Sequence, residues 1–352
     1  MSLHLEYKNR LNQLHVHRQK ISTQVTHSPK KILEQNKSTK EIKSTKLKPL
    51  SLKQMKDLIE EVYNSKTKFD QKCLESKLPR ETMEQHLFTY LNQKYGLKGL
   101  VYEWVSAVNF AVKRFSEEEN DVKVFGKLLR NELDEEFRFV QKQLKETAIE
   151  LLKAFLRAKY NKKMDHDIQI MIQNRLNGDL FEEEWVDIIK YLYNKEDSVA
   201  VIILINEAIL KIRHTTQNSI VNTSTLNKTS NTDTKNKVSF KLFLEVVLNF
   251  QLDTHEKFIS SCLHIFREFD TNKDGILSNA ELRMFLEKVD STKNHNDIEH
   301  AIETLDPHNN NQVTFSQCVT YLSTELMKNA DPSSLYLQGE RDLDEDYLSD
   351  GK

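Results

Sequence analysis

Between Leu50 and about residue 162 the apolar positions recur every three or four residues, the spacing that places side chains on one face of an α-helix. "MKDLIEEV" sets the pattern, and Met83, Leu87 and Leu91 continue it in "ETMEQHLFTYL". Leu100, Trp104, Val108 and Val112 are spaced by four in "LVYEWVSAVNFAVKRF". The run "DEEFRFVQKQLKETAIELLKAFLRAKY" sustains Phe137, Val140, Leu144, Ile149 or Leu151, and Phe155. A helix with one such stripe cannot bury it alone, so an antiparallel bundle is expected. With only 7 Gly and 5 Pro in 352 residues, and no Pro between residues 80 and 306, the strongest helix breakers are nearly absent and the fold class is all-α.

Trp104, Phe110, Phe115, Phe125, Phe137 and Phe139 fall at helical spacing and read as core rather than as a ligand pocket.

Beyond the bundle, "DTNKDGILSNAE" at residues 270 to 281 breaks the apolar pattern with regularly spaced oxygens. Calcium bound by six or seven oxygens needs alternate side chains of a tight loop turned inward, a backbone carbonyl and one bidentate carboxylate. Asp270, Asn272 and Asp274 stand at positions 1, 3 and 5, Ile276 offers its carbonyl at 7, Ser278 is at 9 and Glu281 is the carboxylate at 12. Gly275 lies at position 6, where the left-handed backbone is cheapest for glycine. Leu263, Phe266 and Phe269 lead in, and Leu282, Phe285, Leu286 and Val289 lead out. On these residues, 257 to 290 resemble an EF-hand of the calmodulin superfamily, which implies one Ca2+ bound there.

"DPHNNNQVTFSQ", residues 306 to 317, keeps Asp306 and Asn310 but has His308 at 3, Asn311 at 6 and Gln317 at 12. Losing the bidentate anion removes two oxygens and a charge, so tight calcium binding is not expected there. Thr314 to Gln317 still reads as a capping box, as does Ser278 to Glu281. Asn311 can take the conformation of Gly275, and Val313 matches Leu277 as the residue through which paired hands dock.

With that residue as a ruler, "NKVSFKLFLEVV" places Val238, and "NGDLFEEEWVDII" places Gly178, Leu180 and Glu184 where Gly275, Leu277 and Glu281 stand. The intervals from Leu180 through Val238 and Leu277 to Val313 are then 58, 39 and 36, and the uncharged polar stretch at 214 to 236 accounts for the long first one. Residues 163 to 253 are therefore either a second, degenerate EF-hand pair or a continuation of the bundle. The expected segments are a basic disordered arm at 1 to 49, the bundle at 50 to 162, this stretch, an EF-hand pair at 254 to 329, and an acidic tail at 330 to 352.

Charge changes the picture at the ends. A net charge of -2 conceals eleven Lys or Arg against three Glu in residues 1 to 49, including "KSTK" twice, and six acids against Arg341 and Lys352 after residue 339. The arm reads as a solvating tail or as an electrostatic grip on an acidic partner, tunable by phosphorylation of Ser38, Thr39, Ser44 or Thr45. Acidic tubulin tails, nucleic acid and anionic lipid all fit the charge, and a protein partner with an acidic surface such as tubulin is preferred. No small-molecule substrate is expected.

Too few glycines exist for a phosphate-cradling loop, and Cys73, Cys262 and Cys318 lack CxxC spacing. The first twenty residues hold no apolar stretch of signal-peptide length, and "VAVIILI" is too short to span a bilayer, so a cytoplasmic protein is expected. No nucleophile, base and charge stabiliser stand out, so no enzymatic activity is expected. Met284 and Met327 are too few for a promiscuous Met-rich sensor groove. The chain loosely resembles cytoskeletal and axonemal EF-hand proteins of ciliated protists, which implies a structural or adaptor role in a cytoskeletal, even ciliary, assembly. The alternative is a dedicated regulatory subunit similar to calcineurin-B-like proteins.

Overall fold

A computed structural model describes residues 48 to 220 and 237 to 329, with side chains at 214 to 220 and 326 to 329 left aside. The expectations for the basic arm, for 221 to 236 and for the acidic tail lie outside these residues. Twelve helices and four two-residue strands make up the described chain, an all-α fold. They run α1 (Leu52–Ser76), α2 (Met83–Tyr95), α3 (Lys98–Phe115), α4 (Asn120–Leu129), α5 (Phe137–Lys159), α6 (Asp165–Leu176), β1 (Asp179–Leu180), α7 (Glu182–Leu192) and α8 (Lys195–Ile220). Then follow β2 (Val238–Ser239), α9 (Phe240–Phe269), β3 (Ile276–Leu277), α10 (Asn279–Val289), α11 (His295–Leu305), β4 (Val313–Thr314) and α12 (Phe315–Asn329).

Local chemistry sets the ends. Ser51 and Gln54 close a capping box at the start of α1, and Thr82 and Gln85 do so for α2. Lys77 and Gly96, both left-handed at φ 58° and 69°, stop the same two helices. On α1 the buried face is Met55, Leu58, Ile59, Val62, Lys66 and Cys73. Lys66 keeps its place on that apolar stripe because Asp70 at 2.6 Å and Glu135 at 3.2 Å neutralise it.

Two cores form. One joins α1 to α4 and the start of α5 to the C-terminal helix–loop–helix units, through Leu252, Ile259, Phe266, Leu277, Phe285, Val313 and Phe315. The other gathers the rest of α5, α6 to α8 and the first half of α9. The long helices α5 and α9 serve both. Nothing interrupts α9 at the segment boundary expected at residue 253, because the chain from Phe240 to Phe269 holds neither Pro nor Gly and Leu252, His255 and Ile259 continue its buried face. In the C-terminal half of α5 the buried residues are Ala148, Leu152 and Leu156 rather than Ile149, Leu151 and Phe155. The stripe continues from Leu144 in steps of four through a small alanine, which the larger apolar neighbours outweigh in the sequence. Phe110 and Phe139 also depart from the expected core, at 56% and 45% exposed.

Strands β1 and β2 pair antiparallel, Leu180 opposite Val238, and β3 and β4 pair with Leu277 opposite Val313. All four residues are buried. Each bridge joins the start of one helix to the start of another.

Candidate metal centre

Helix α9 ends as Asp270 begins the third loop. The backbone turns left-handed at Lys273, φ 57°, and at Gly275, φ 77°. This curl aims successive N–H groups inward: Asp274 N and Gly275 N donate to the two Asp270 oxygens at 3.2 and 3.0 Å, and Ile276 N donates to Asp274 Oδ1 at 2.9 Å. Asn272 joins the set, accepting from Asp274 N at 3.1 Å and donating to Asp274 Oδ2 at 2.9 Å. Glu281 sits apart from them. Its Oε2 accepts from Ser278 N and Oγ at 2.9 and 2.8 Å, and its Oε1 from Thr271 Oγ1 at 3.3 Å.

The structure thus brings Asp270, Asn272 and Asp274 together and leaves Glu281 on its helix cap. Among the described residues no three Asp, Glu, His or Cys stand as a ready metal cluster. Burial, followed by the charges of Asp274 and Glu281, pushes the Asp270 carboxyl up despite the N–H donors of Gly275 and Asp274. Burial acts against Glu281 too, but the N–H and O–H of Ser278 and the Thr271 hydroxyl hold it below its ordinary value. Hard oxygens, with carboxylates at Asp270, Asp274 and Glu281, fit a hard divalent cation, which these residues and Asn272 would hold.

The fourth loop follows the same path without that need. Asn309 and Asn311 are left-handed at φ 51° and 58°, and Asp306 accepts from Asn310 N and Asn311 N at 2.8 and 2.7 Å. Gln317 caps Thr314 through Oε1 at 3.1 Å, as Glu281 caps Ser278, and its Nε2 donates to the Leu305 carbonyl at 3.3 Å. That amide closes the loop on itself. Asn279 ties the two loops together, its N donating to Asn311 Oδ1 and its Nδ2 to Asn309 Oδ1, both at 2.8 Å.

The loop before Leu180 is closed by a cation of its own. Glu184 at position 12 is fully buried, and Arg175 at position 3 donates Nε–H to both its oxygens at 2.9 and 2.8 Å. Phe181 N donates to Glu184 Oε2 at 2.8 Å, and the Phe181 ring lies 4.2 Å from the guanidinium. A phenyl ring cannot accept the reciprocal bond, so the box at this helix start is half made. Sequence reasoning found Glu184 and missed Arg175, although a basic residue at an odd loop position facing a position 12 acid is a readable signal.

A second missed group comes from the turn between α4 and α5. Asn131, left-handed at φ 50°, rests its carboxamide against Gly275, so that a Cβ there would collide with it. In the same turn Glu135 N donates to Ser316 Oγ at 2.9 Å, and Asp134 pairs with His255.

In each pair, two helix–loop–helix units are joined through a two-residue antiparallel bridge between their loops. No family model matches the chain, and no solved structure does. Probable calcium-binding protein CML18 of Arabidopsis thaliana is 36% identical over 64 residues, which is 18% of this chain and 39% of that protein. Probable calcium-binding protein CML17 of the same plant is 32% identical over 83 residues, 24% of this chain and 50% of that protein. The chain spans half or less of these relatives' length. The short similarities support the EF-hand character and lend nothing to a likeness with axonemal proteins.

Proposed function

We propose that the chain is a calcium-binding EF-hand adaptor with a single ion site, formed by Asp270, Asn272, Asp274, the Ile276 carbonyl, Ser278 and Glu281. The observation that carries this is the contrast between loops: Arg175 occupies Glu184, Gln317 spans to Leu305, and the third loop has only unneutralised oxygens at its centre. The names of the similar plant proteins support calcium as the ion.

The apolar side of the C-terminal pair, where a sensor would take up a target, is already packed into one core with α1 to α4. That supports a scaffold whose calcium sets stiffness or one local contact. In the finer reading the basic arm grips an acidic protein surface such as tubulin within a cytoskeletal, even ciliary, assembly in the cytoplasm. Microtubule co-sedimentation with and without residues 1 to 49, in calcium and in chelator, tests it: arm-dependent pelleting is expected, and no pelleting under any condition overturns it.

A second reading, a dedicated regulatory subunit of an enzyme, draws support from the contact of Asn131 with Gly275, which joins the loop to the helical unit. It expects calcium-dependent exposure of apolar surface. Flat dye fluorescence across a calcium titration counts against it.

A further inference from the structure

Five of the fourteen large apolar side chains that stand exposed among the described residues belong to one helix, α8. It packs against α7 and α9 and sends Val201, Ile205 and Ile209 into the core there. Its opposite side carries Val199, Ile203 and Leu210 at 55, 52 and 51% exposed. With the half-buried Asn206 these stand at spacings of four, three and four, which form one stripe along a helix. Glu196, Leu204, Glu207 and Lys211, all exposed, border that stripe on one side. A second apolar face on a helix that has already buried its first is a surface for a partner.

The order of the stripe is the same from either end. Two α8 helices laid antiparallel therefore bring Val199 against Leu210 of the second copy and Ile203 against its Asn206. The same rotation runs the borders alongside each other, with Glu196 across from Lys211 of the second copy and Leu204 across from its own equivalent. Opposite charges then meet at both ends of the contact, and the helix dipoles oppose. A parallel pair would set Glu196 against Glu196. Such self-complementarity is what a two-fold interface requires, and an unrelated partner would call for none of it.

We propose that the exposed face of α8 is a homodimer interface, with a second copy of this chain packed antiparallel on Val199, Ile203, Leu204 and Leu210. The stripe is about 17 Å long. Two copies with their charged borders bury about 1,000 Å², the low end for a specific interface, so a reversible dimer in the micromolar range is expected. The face lies outside the calcium loops, and the dimer would join two calcium sites and two basic N-terminal sequences in one particle.

The test is sedimentation of the full chain in reductant over a wide range of concentrations, in calcium and in chelator. A monomer–dimer equilibrium that calcium leaves unchanged is expected, weakened roughly tenfold or more by Ile203→Glu and by Leu210→Glu. Both variants replace exposed side chains, and melting at concentrations where the parent is monomeric checks that they fold as it does. Glu196→Lys alone is expected to weaken the dimer severalfold, and Glu196→Lys with Lys211→Glu to restore it, since the swap rebuilds the antiparallel pairs. A chain monomeric at every concentration overturns the proposal, as does a dimer that survives both glutamate variants or a charge swap that fails to restore association. Dimerisation only after removal of residues 1 to 47 would give the face to the chain's own N-terminal segment, and would overturn it too.

Discussion

Arg175 and Glu184 form a two-bond ion pair, at 2.9 and 2.8 Å, across positions 3 and 12 of the first loop. An amino-acid cation there neutralises the buried carboxylate that starts the outgoing helix, the part proposed for a metal ion in the third loop. Breaking the pair from one side strands the fully buried Glu184. Arg175→Met is therefore expected to cost roughly 3–5 kcal/mol, and the double change with Glu184→Leu to recover most of it. Urea unfolding of the variants, at fixed calcium, measures both.

Gly275 is expected to tolerate no side chain. Gly275→Ala meets a left-handed φ of 77° and the Asn131 carboxamide together. The backbone share is about 1 kcal/mol and persists in any background. The steric share disappears with Asn131→Gly, so a double-mutant cycle should show coupling above roughly 0.5 kcal/mol, and strict additivity would mean that the contact carries no energy.

Gln317 is expected to matter for stability and not for metal. Gln317→Ala removes a helix cap and the bond to Leu305, a loss of about 1–2 kcal/mol readable in thermal unfolding. Gln317→Glu restores the position 12 anion but leaves His308 at position 3, and the number of calcium ions bound should not rise.

Asp70 shapes the acid limb of stability. Burial pushes its carboxyl up, but Arg80 and Lys66 outweigh this and hold it below the ordinary 3.8. A carboxyl with a depressed folded value binds its proton more readily when unfolded, so its contribution is present above about pH 4 and is lost as pH falls through the folded value. Asp70→Asn should lower stability at neutral pH and flatten the fall below pH 4. Parallel curves for the two chains would exclude the role.

Much of the fold was legible because helix and loop signals are local. The stripes of α1 and α2, the cap pairs Ser278 with Glu281 and Thr314 with Gln317, and the buried quartet Leu180, Val238, Leu277 and Val313 each depend on spacing within a few residues. What stayed hidden depends on contacts between distant segments. Asn131 reaches Gly275 from 144 positions away, and the sharing of α5 and α9 between two cores follows from packing that no single stripe encodes. The loop ligands were readable as residue types. That Glu281 also takes the Thr271 hydroxyl and stays on its cap was not, since an acid at that position serves the cap and the metal equally well.

The central claim is that the third loop takes a metal ion while the first and fourth are closed without one. Native mass spectrometry of the full chain, titrated with calcium and backed by calorimetry, counts the ions directly. One tightly bound calcium, lost in both Asp270→Ala and Glu281→Gln and retained in Asp306→Ala, is the expected result. Two or more tightly bound ions, or one that survives Asp270→Ala, would contradict the account.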